Sequence, residues 1–186
     1  MKILHVNKFF YRRGGADQHF FDLSEALERA GNAVIPFSMS DIRNEPSPYA
    51  NYFVSHADFG SLGVQSLKYL PRALYSFEAK RKLANLIADT RPDIAHVHLL
   101  YHHLSPSVLV ALKRAGLPVV ATIHDWKFIC PNYKLFTEGA PCTRCRDRRF
   151  IHAARHRCVR GKFLPSLFAS FEAYWHHGRR YYEDYI

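Results

Sequence analysis

Asp93-Ile94-Ala95-His96-Val97-His98-Leu99 reads as a strand, and the residues after it decide the architecture. Ser105-Pro106 opens a helix there. Serine is a preferred cap, and proline is tolerated at the first helical position, where no intrahelical N–H is needed. Gly116 and Pro118 end that helix, and Val119 to Ile123 is the next strand. Strand, helix and strand in this order make the crossover unit of a parallel sheet.

The same unit recurs towards the N-terminus. Lys2 to Asn7 is a short buried strand and Lys8 to Gly15 a loop. Ala16 to Ala30 is a helix, with Ala16, Phe20, Leu23, Leu27 and Ala30 on one face. Gly31 suits the position just past that helix, where left-handed backbone is common. Ala33 to Phe37 is a second strand and Ser38 to Tyr49 a loop. Asn51 to Ser55 is expected to be a third strand, Asp58 to Pro71 a short helix with a loop, and Leu74 to Thr90 a helix. The fold predicted is α/β: a Rossmann-like doubly wound parallel sheet with helices on both faces.

Beyond Ile123 the periodicity stops. His124 to Gly161 holds all four cysteines and seven of the seventeen arginines. Leu164 to about Tyr182 is predicted as a final helix whose apolar stripe is Leu164, Leu167, Phe168, Phe171, Tyr174 and Trp175. A chain of 186 residues suits one domain, 1–186, carrying a Cys/Arg-rich insert at about 126–162 and the final helix at about 164–182.

The formal net charge is +10, and it is concentrated. Between Thr143 and Lys162 stand eight basic side chains (Arg144, Arg146, Arg148, Arg149, Arg155, Arg157, Arg160, Lys162) and one acid, Asp147. Such a field favours anionic partners: phosphorylated small molecules, an anionic membrane surface or nucleic acid. No base-reading helix or aromatic RNA-binding pattern accompanies it, which argues against nucleic acid. No secretory leader is visible, and no run approaches the ~18 apolar residues of a spanning helix. The chain reads as cytoplasmic, its basic excess compatible with a peripheral position at the inner face of the membrane. Cysteines in such a compartment are thiols or metal ligands more often than disulfides.

Several groups could carry chemistry. Gly14-Gly15 precedes a helix, so a ligand could approach the backbone and meet free N–H groups and a positive dipole. Arg12 and Arg13 add charge beside it. The spacing matches neither the dinucleotide fingerprint nor a Walker loop, and a plain turn explains the pair equally well. His124-Asp125 directly follows a strand, at the carboxyl edge where open α/β sheets bind ligands. The pair could hold a sugar hydroxyl or act as base and orienter; alternatively Asp125 caps a turn. His96 and His98 point to one side of their strand, as structural groups, substrate contacts or metal ligands. Cys142-Thr143-Arg144-Cys145 is a knuckle with eleven residues between it and Cys130 and twelve between it and Cys158. Four thiolates could hold a structural zinc; free thiols or a disulfide fit the spacing too.

In Gly14-Gly15-Ala16, Ala30-Gly31-Asn32-Ala33-Val34, Arg91-Pro92-Asp93-Ile94-Ala95-His96-Val97-His98 and Leu117-Pro118-Val119-Val120-Ala121-Thr122-Ile123-His124-Asp125, the chain resembles the N-terminal domain of family 4 glycosyltransferases of the two-domain GT-B fold. Cys130-Pro131-Asn132-Tyr133, Cys142-Thr143-Arg144-Cys145 and His156-Arg157-Cys158-Val159 resemble an insert found in a subgroup. The resemblance runs from Met1 to about Tyr182. It implies transfer of a sugar from a nucleotide sugar to a saccharide or lipid-linked acceptor, usually with retention and with no metal or other cofactor required for catalysis. It places the Gly14-Gly15 loop near the donor phosphates or the acceptor and His124 and Asp125 at the reacting sugar; Arg12, by its charge, and His98, by its place at the strand end, are the further substrate-binding candidates. The family's usual Glu after Gly-Gly-Ala is replaced by Asp17-Gln18, and the donor-binding C-terminal domain lies outside residues 1–186. Alone, these residues are expected to be inactive until a separate C-terminal domain joins them. Two rival readings fit the charge: a stand-alone binding module for an anionic saccharide or lipid-phosphate, and a zinc-containing nucleic-acid-binding protein.

Overall fold

The computed structural model describes residues 1–57 and 69–183. The chain divides into two compact units, Met1–Thr122 and a second that begins at Ile123. The second takes in both the cysteine segment and the final helix.

The first unit is a parallel sheet of four strands: β1 (Lys2–Val6), β2 (Ala33–Phe37), β3 (Ile94–Val97) and β4 (Val119–Ala121), in the order β2-β1-β3-β4. Helix α1 (Gly15–Arg29) links β1 to β2. After β2 come α2 (Leu70–Leu74) and α3 (Phe77–Thr90), and α4 (Ser107–Arg114) links β3 to β4. The chain steps from β1 to one side and then returns to its other side. Right-handed crossovers, the rule for such connections, therefore put α1 on one face and α3 and α4 on the other. Residues 3–6 of β1 are all buried, as a strand covered on both faces must be. Parallel pairing sets Ile3 against Val34 and Ile94, and His5 against Pro36 and His96.

The strands expected at 2–7, 33–37, 93–99 and 119–123 are present, some with trimmed ends. The expected strand at 51–55 is instead a single 3-10 turn, Ala50–Tyr52, followed by one parallel bridge between Met39 and Val54. The expected helix at 58–71 lies mostly outside the described residues. Gly31 (φ 79°) and Gly116 (φ 68°) do occupy the left-handed position past α1 and α4. The helix expected to be capped by Ser105 starts one residue later, with Pro106 at its cap; the Ser105 hydroxyl accepts from Ser76 N at 2.8 Å and Ser107 N at 3.3 Å. Ser107 Oγ in turn donates to Ser76 O at 2.8 Å, so buried serines knot together the starts of α3 and α4.

The loop 8–14 after β1 is pinned by aromatics. Phe10 packs with Phe20, Phe21 and Phe53, and Phe9 with Tyr11 and Met39.

The second unit has a two-stranded hairpin, β5 (Phe136–Thr137) and β6 (Ala140–Pro141), turned through Glu138 (φ 53°) and Gly139 (φ 77°). Positive φ at both turn residues gives the twist that matches a hairpin. A 3-10 turn (Arg146–Arg148), α5 (Ile151–Arg155) and α6 (Phe163–Gly178) follow, with α5 packed on α6. The final helix thus stops before the expected 182. Its orientation also overturns the sequence expectation. Leu164 is 74% exposed and Phe171 50%, with Leu167 and Tyr174 also exposed. The buried face is Ser166, Ala169, Ser170, Glu172, Ala173 and His176. Small residues let α6 sit close to α5, and the polar ones are paired: Ser170 Oγ donates to Phe150 O at 2.8 Å, and Glu172 meets Lys127 Nζ at 2.6 Å.

Candidate functional site

In the first unit, β1 leads to β2 on one side while β3 lies on the other. The sheet's switch point is therefore between the carboxyl ends of β1 and β3, where open α/β sheets bind ligands. The ends are joined there: His98 N donates to Val6 O at 2.8 Å.

Asn7 is the first residue past β1 and is fully buried. Its Nδ2 donates to Phe9 O at 3.0 Å and to Asp17 Oδ1 at 2.9 Å, while its Oδ1 accepts from Leu99 N at 3.3 Å. One amide thus ties together the end of β1, the segment after β3 and the first turn of α1. Asp17, buried at the positive end of that helix, is the residue by which the chain departs from the resembling family's loop. Neither Asn7 nor Asp17 was expected from the sequence, because their partnership depends on the fold.

Gly14 caps α1 in extended backbone (φ −161°). Unlike Gly31, Gly116, Gly139 and Gly161, neither Gly14 nor Gly15 has positive φ, and an added Cβ at either would meet nothing within 4 Å. Local conformation and packing within the chain therefore do not require glycine at this pair, which is exposed at a helix N-terminus. Arg12 is engaged by the chain itself: it pairs with Glu45, pairs with Glu25 at 3.0 Å, and covers the Phe21 ring at 4.5 Å. Arg13 covers Phe9 at 4.9 Å.

His98 lies over a row of rings on the α1 face. His5 stacks on Phe20 with centroids 4.1 Å apart, and His96 stacks on His98 at 4.4 Å. Burial first, then the charges His96 and His19 would carry, lower the His5 pKa to about 3, so its ring is neutral near pH 7. Its proton can be placed. Ser24 Oγ donates to Phe20 O at 2.9 Å, so it accepts from His5 Nδ1 at 2.8 Å. His5 Nε2 is then an acceptor, and His98 Nε2 donates to it across 2.7 Å. Neutral His98 accordingly carries its lone pair on Nδ1. His19 lies beside it at 5.8 Å between centroids, and His96 Nε2 bonds Thr122 Oγ1 at 2.7 Å.

The ring nitrogens of His5, His96 and His98 come within 4.8 Å of one another, which raises a metal site. The 2.7 Å His5–His98 contact is a hydrogen bond, however. Two imidazoles on one tetrahedral zinc, at Zn–N of about 2.0–2.1 Å, would hold their nitrogens roughly 3.3 Å apart. As arranged, His5 and His98 share a proton, and His96 is bonded to Thr122 instead.

His124 and Asp125 belong to the second unit and are half-buried. Asp125 Oδ1 accepts from Lys127 N at 3.0 Å, so the carboxylate does cap a turn. Trp126 to Cys130 complete that turn, with Cys130 N on Trp126 O at 2.8 Å. Lys127 then runs inward to the buried pair with Glu172. The four cysteines, Cys130, Cys142, Cys145 and Cys158, come together in this unit around one cavity and form no disulfide. No described helix is long and apolar enough to cross a membrane.

Comparison with known proteins agrees with the fold. The sequence profile of Glycosyltransferase Family 4 matches residues 13–166. A Klebsiella pneumoniae protein described as "Uncharacterized 42.6 kDa protein in cps region" is 26% identical over 153 residues, covering 75% of this chain. The aligned part is 41% of that protein's length. With most of its length matched by the profile and its sheet wound in the Rossmann-like order, the chain belongs to glycosyltransferase family 4.

Proposed function

We propose that residues 1–186 form the acceptor side of a glycosyltransferase that moves a sugar from a nucleotide sugar to a saccharide or lipid-linked acceptor. The observation that carries this reading is the switch point between the carboxyl ends of β1 and β3. There the start of α1, the Asn7–Asp17 tie and the His5–His98 pair meet at the sheet's carboxyl edge. Gly14 and Gly15 let a phosphate or a sugar approach the N–H groups of α1. His98, whose ring is held by His5, is assigned to the substrates by its place at the end of β3. Arg12 stands in the same loop as Gly14 and Gly15 and is the basic side chain assigned to the substrates there, its guanidinium held by Glu25 and Glu45. His124 and Asp125 are assigned to the reacting sugar, His124 as the hydrogen-bonding or basic group and Asp125 as its orienter, on the family resemblance. The reading assigns no cofactor to the transfer step. The relative's description, in a cps region, accords with a growing saccharide as acceptor.

Donor binding falls to a second domain in this scheme, so residues 1–186 alone are expected to turn over negligibly. The test is binding and transfer across a panel of nucleotide sugars and lipid-linked saccharides, with and without a separately supplied donor-binding domain. Transfer only with that domain is the expected result. Binding of a saccharide or phospholipid that the added domain leaves unchanged would instead make the chain a binding module. In the assembled enzyme, His98→Ala should lower transfer at least about tenfold, the worth of one hydrogen bond of ~1.4 kcal/mol.

A further inference from the structure

The four cysteines have no part in the proposed transfer, yet the fold gathers them. Cys130 ends the turn that Asp125 opens. Cys142 and Cys145 flank the knuckle after the hairpin, and Cys158 follows α5. All four line a single cavity of about 10 Å³, room for one atom-sized occupant and for no organic molecule. All are free thiols.

Apolar packing does not account for the gathering. Between Ile123 and Gly161 the buried apolar side chains among the described residues are Cys130 itself, Pro131, Phe150, Ala153 and Ala154. The same stretch holds Tyr133, Leu135, Glu138, Asp147, Arg148, Arg157 and Arg160 in left-handed backbone, which side-chain-bearing residues disfavour. A segment with so little core and so many unfavourable backbone positions needs another constraint, and small metal-stapled modules obtain theirs from the ion. Other contacts already hold the cysteine-bearing pieces in place. Asn132 accepts from the Cys130 thiol at 2.9 Å and donates to Phe136 O at 3.1 Å. Glu138 in the hairpin turn takes Arg144 of the knuckle at 2.8 Å and His156, two residues before Cys158, at 2.9 Å.

We propose that Cys130, Cys142, Cys145 and Cys158 hold one structural zinc ion. Each thiol releases its proton to solvent as it ligates, and no electron changes hands. Four thiolates close the coordination shell, which leaves no position for a substrate and makes the site structural. Zinc with four thiolates carries two net negative charges, and the arginines between Thr143 and Lys162 supply the opposite field. The assignment goes beyond the transfer reaction and stands whether or not the chain transfers sugar.

The chain, purified with a thiol reductant and without chelator, should contain stoichiometric zinc by elemental analysis. The Cys142→Ser/Cys145→Ser variant should fall to background while His96→Ala keeps its metal. Should the cysteine variant fail to fold, the wild-type chain is stripped with a mercurial and a chelator, then titrated with cobalt(II). A thiolate-to-cobalt charge-transfer band and the intense visible bands of a tetrahedral site, both lost on adding zinc, are expected. Absence of zinc from the purified chain together with absence of that spectrum would overturn the assignment. So would zinc that survives the double substitution, or alkylation and mass spectrometry showing the four sulfurs paired as disulfides.

Discussion

Residues 1–122 and the unit beginning at Ile123 are held together by different means. The first buries whole strands and large apolar side chains: Phe20, Phe37 and Leu4 are fully enclosed, as are Leu83 and Leu112. The second turns serines, alanines, a glutamate and a histidine of α6 inward, and its enclosed charge is a lysine–glutamate pair. A layered sheet can stand on the hydrophobic effect alone. A short loop-rich segment cannot, and depends on groups that are costly to bury unless each finds its partner.

Single and paired substitutions should break this contrast most visibly. Phe20→Ala should cost about 3–5 kcal/mol in urea melts, through lost transfer energy and a residual cavity. Glu172→Leu should cost a similar ~3–5 kcal/mol, because it strands Lys127 in the interior. Adding Lys127→Met should recover most of that loss, since replacing both partners of a buried pair is close to neutral. No such rescue is expected for Phe20→Ala, and a double variant as unstable as Glu172→Leu would refute the contrast.

Acid should weaken the first unit next. Burial lowers His5 to about 3, and His103 likewise to about 3. The unfolded chain takes up these protons near pH 6.5 and the folded chain only near 3. The stability they confer is complete above 6.5 and declines from there towards 3, at up to ~1.4 kcal/mol per pH unit for each ring. Melts at pH 6.5 and pH 5 should show this, and His103→Leu should remove one proton's worth of the slope.

A smaller effect tests the orientation of α6. Phe171→Ser, on the exposed stripe, should change stability by no more than about 0.5 kcal/mol, while Ala169→Leu on the buried side should cost ~1–3 kcal/mol by overpacking. Equal losses would mean that the aromatic stripe is core after all. Smallest is Arg12→Gln, whose partly exposed ion pairs are worth under about 1 kcal/mol. Because the fold should barely notice it, any larger loss of ligand affinity in that variant would report contact with the ligand.

Much of the first unit was legible. The strand Ala33–Phe37, the turn at Gly31, the helix after Gly15 and the parallel winding all follow from short-range periodicity and glycine placement. Val119 to Ile123 and Asp93 to Leu99 were also recognisable, each trimmed where its ends leave the sheet ladder. The candidate site was legible only in part. Gly14, Gly15 and His98 stand out in the sequence, but what fixes them does not. His5 and His98 are 93 residues apart, and Asn7 finds Asp17 only once β1 and α1 have packed.

What the sequence determined by itself was the order of elements and their turns, because hydrophobic period and backbone chirality act over a few residues. Three things were decided only by the tertiary structure: the inward face of α6, the tautomers of the histidine row and the meeting of four cysteines. A helix can present either of two faces, a neutral imidazole can carry its proton on either nitrogen, and a thiol can meet any neighbour. In each case the choice belongs to groups distant in the chain, brought near only when the chain has folded.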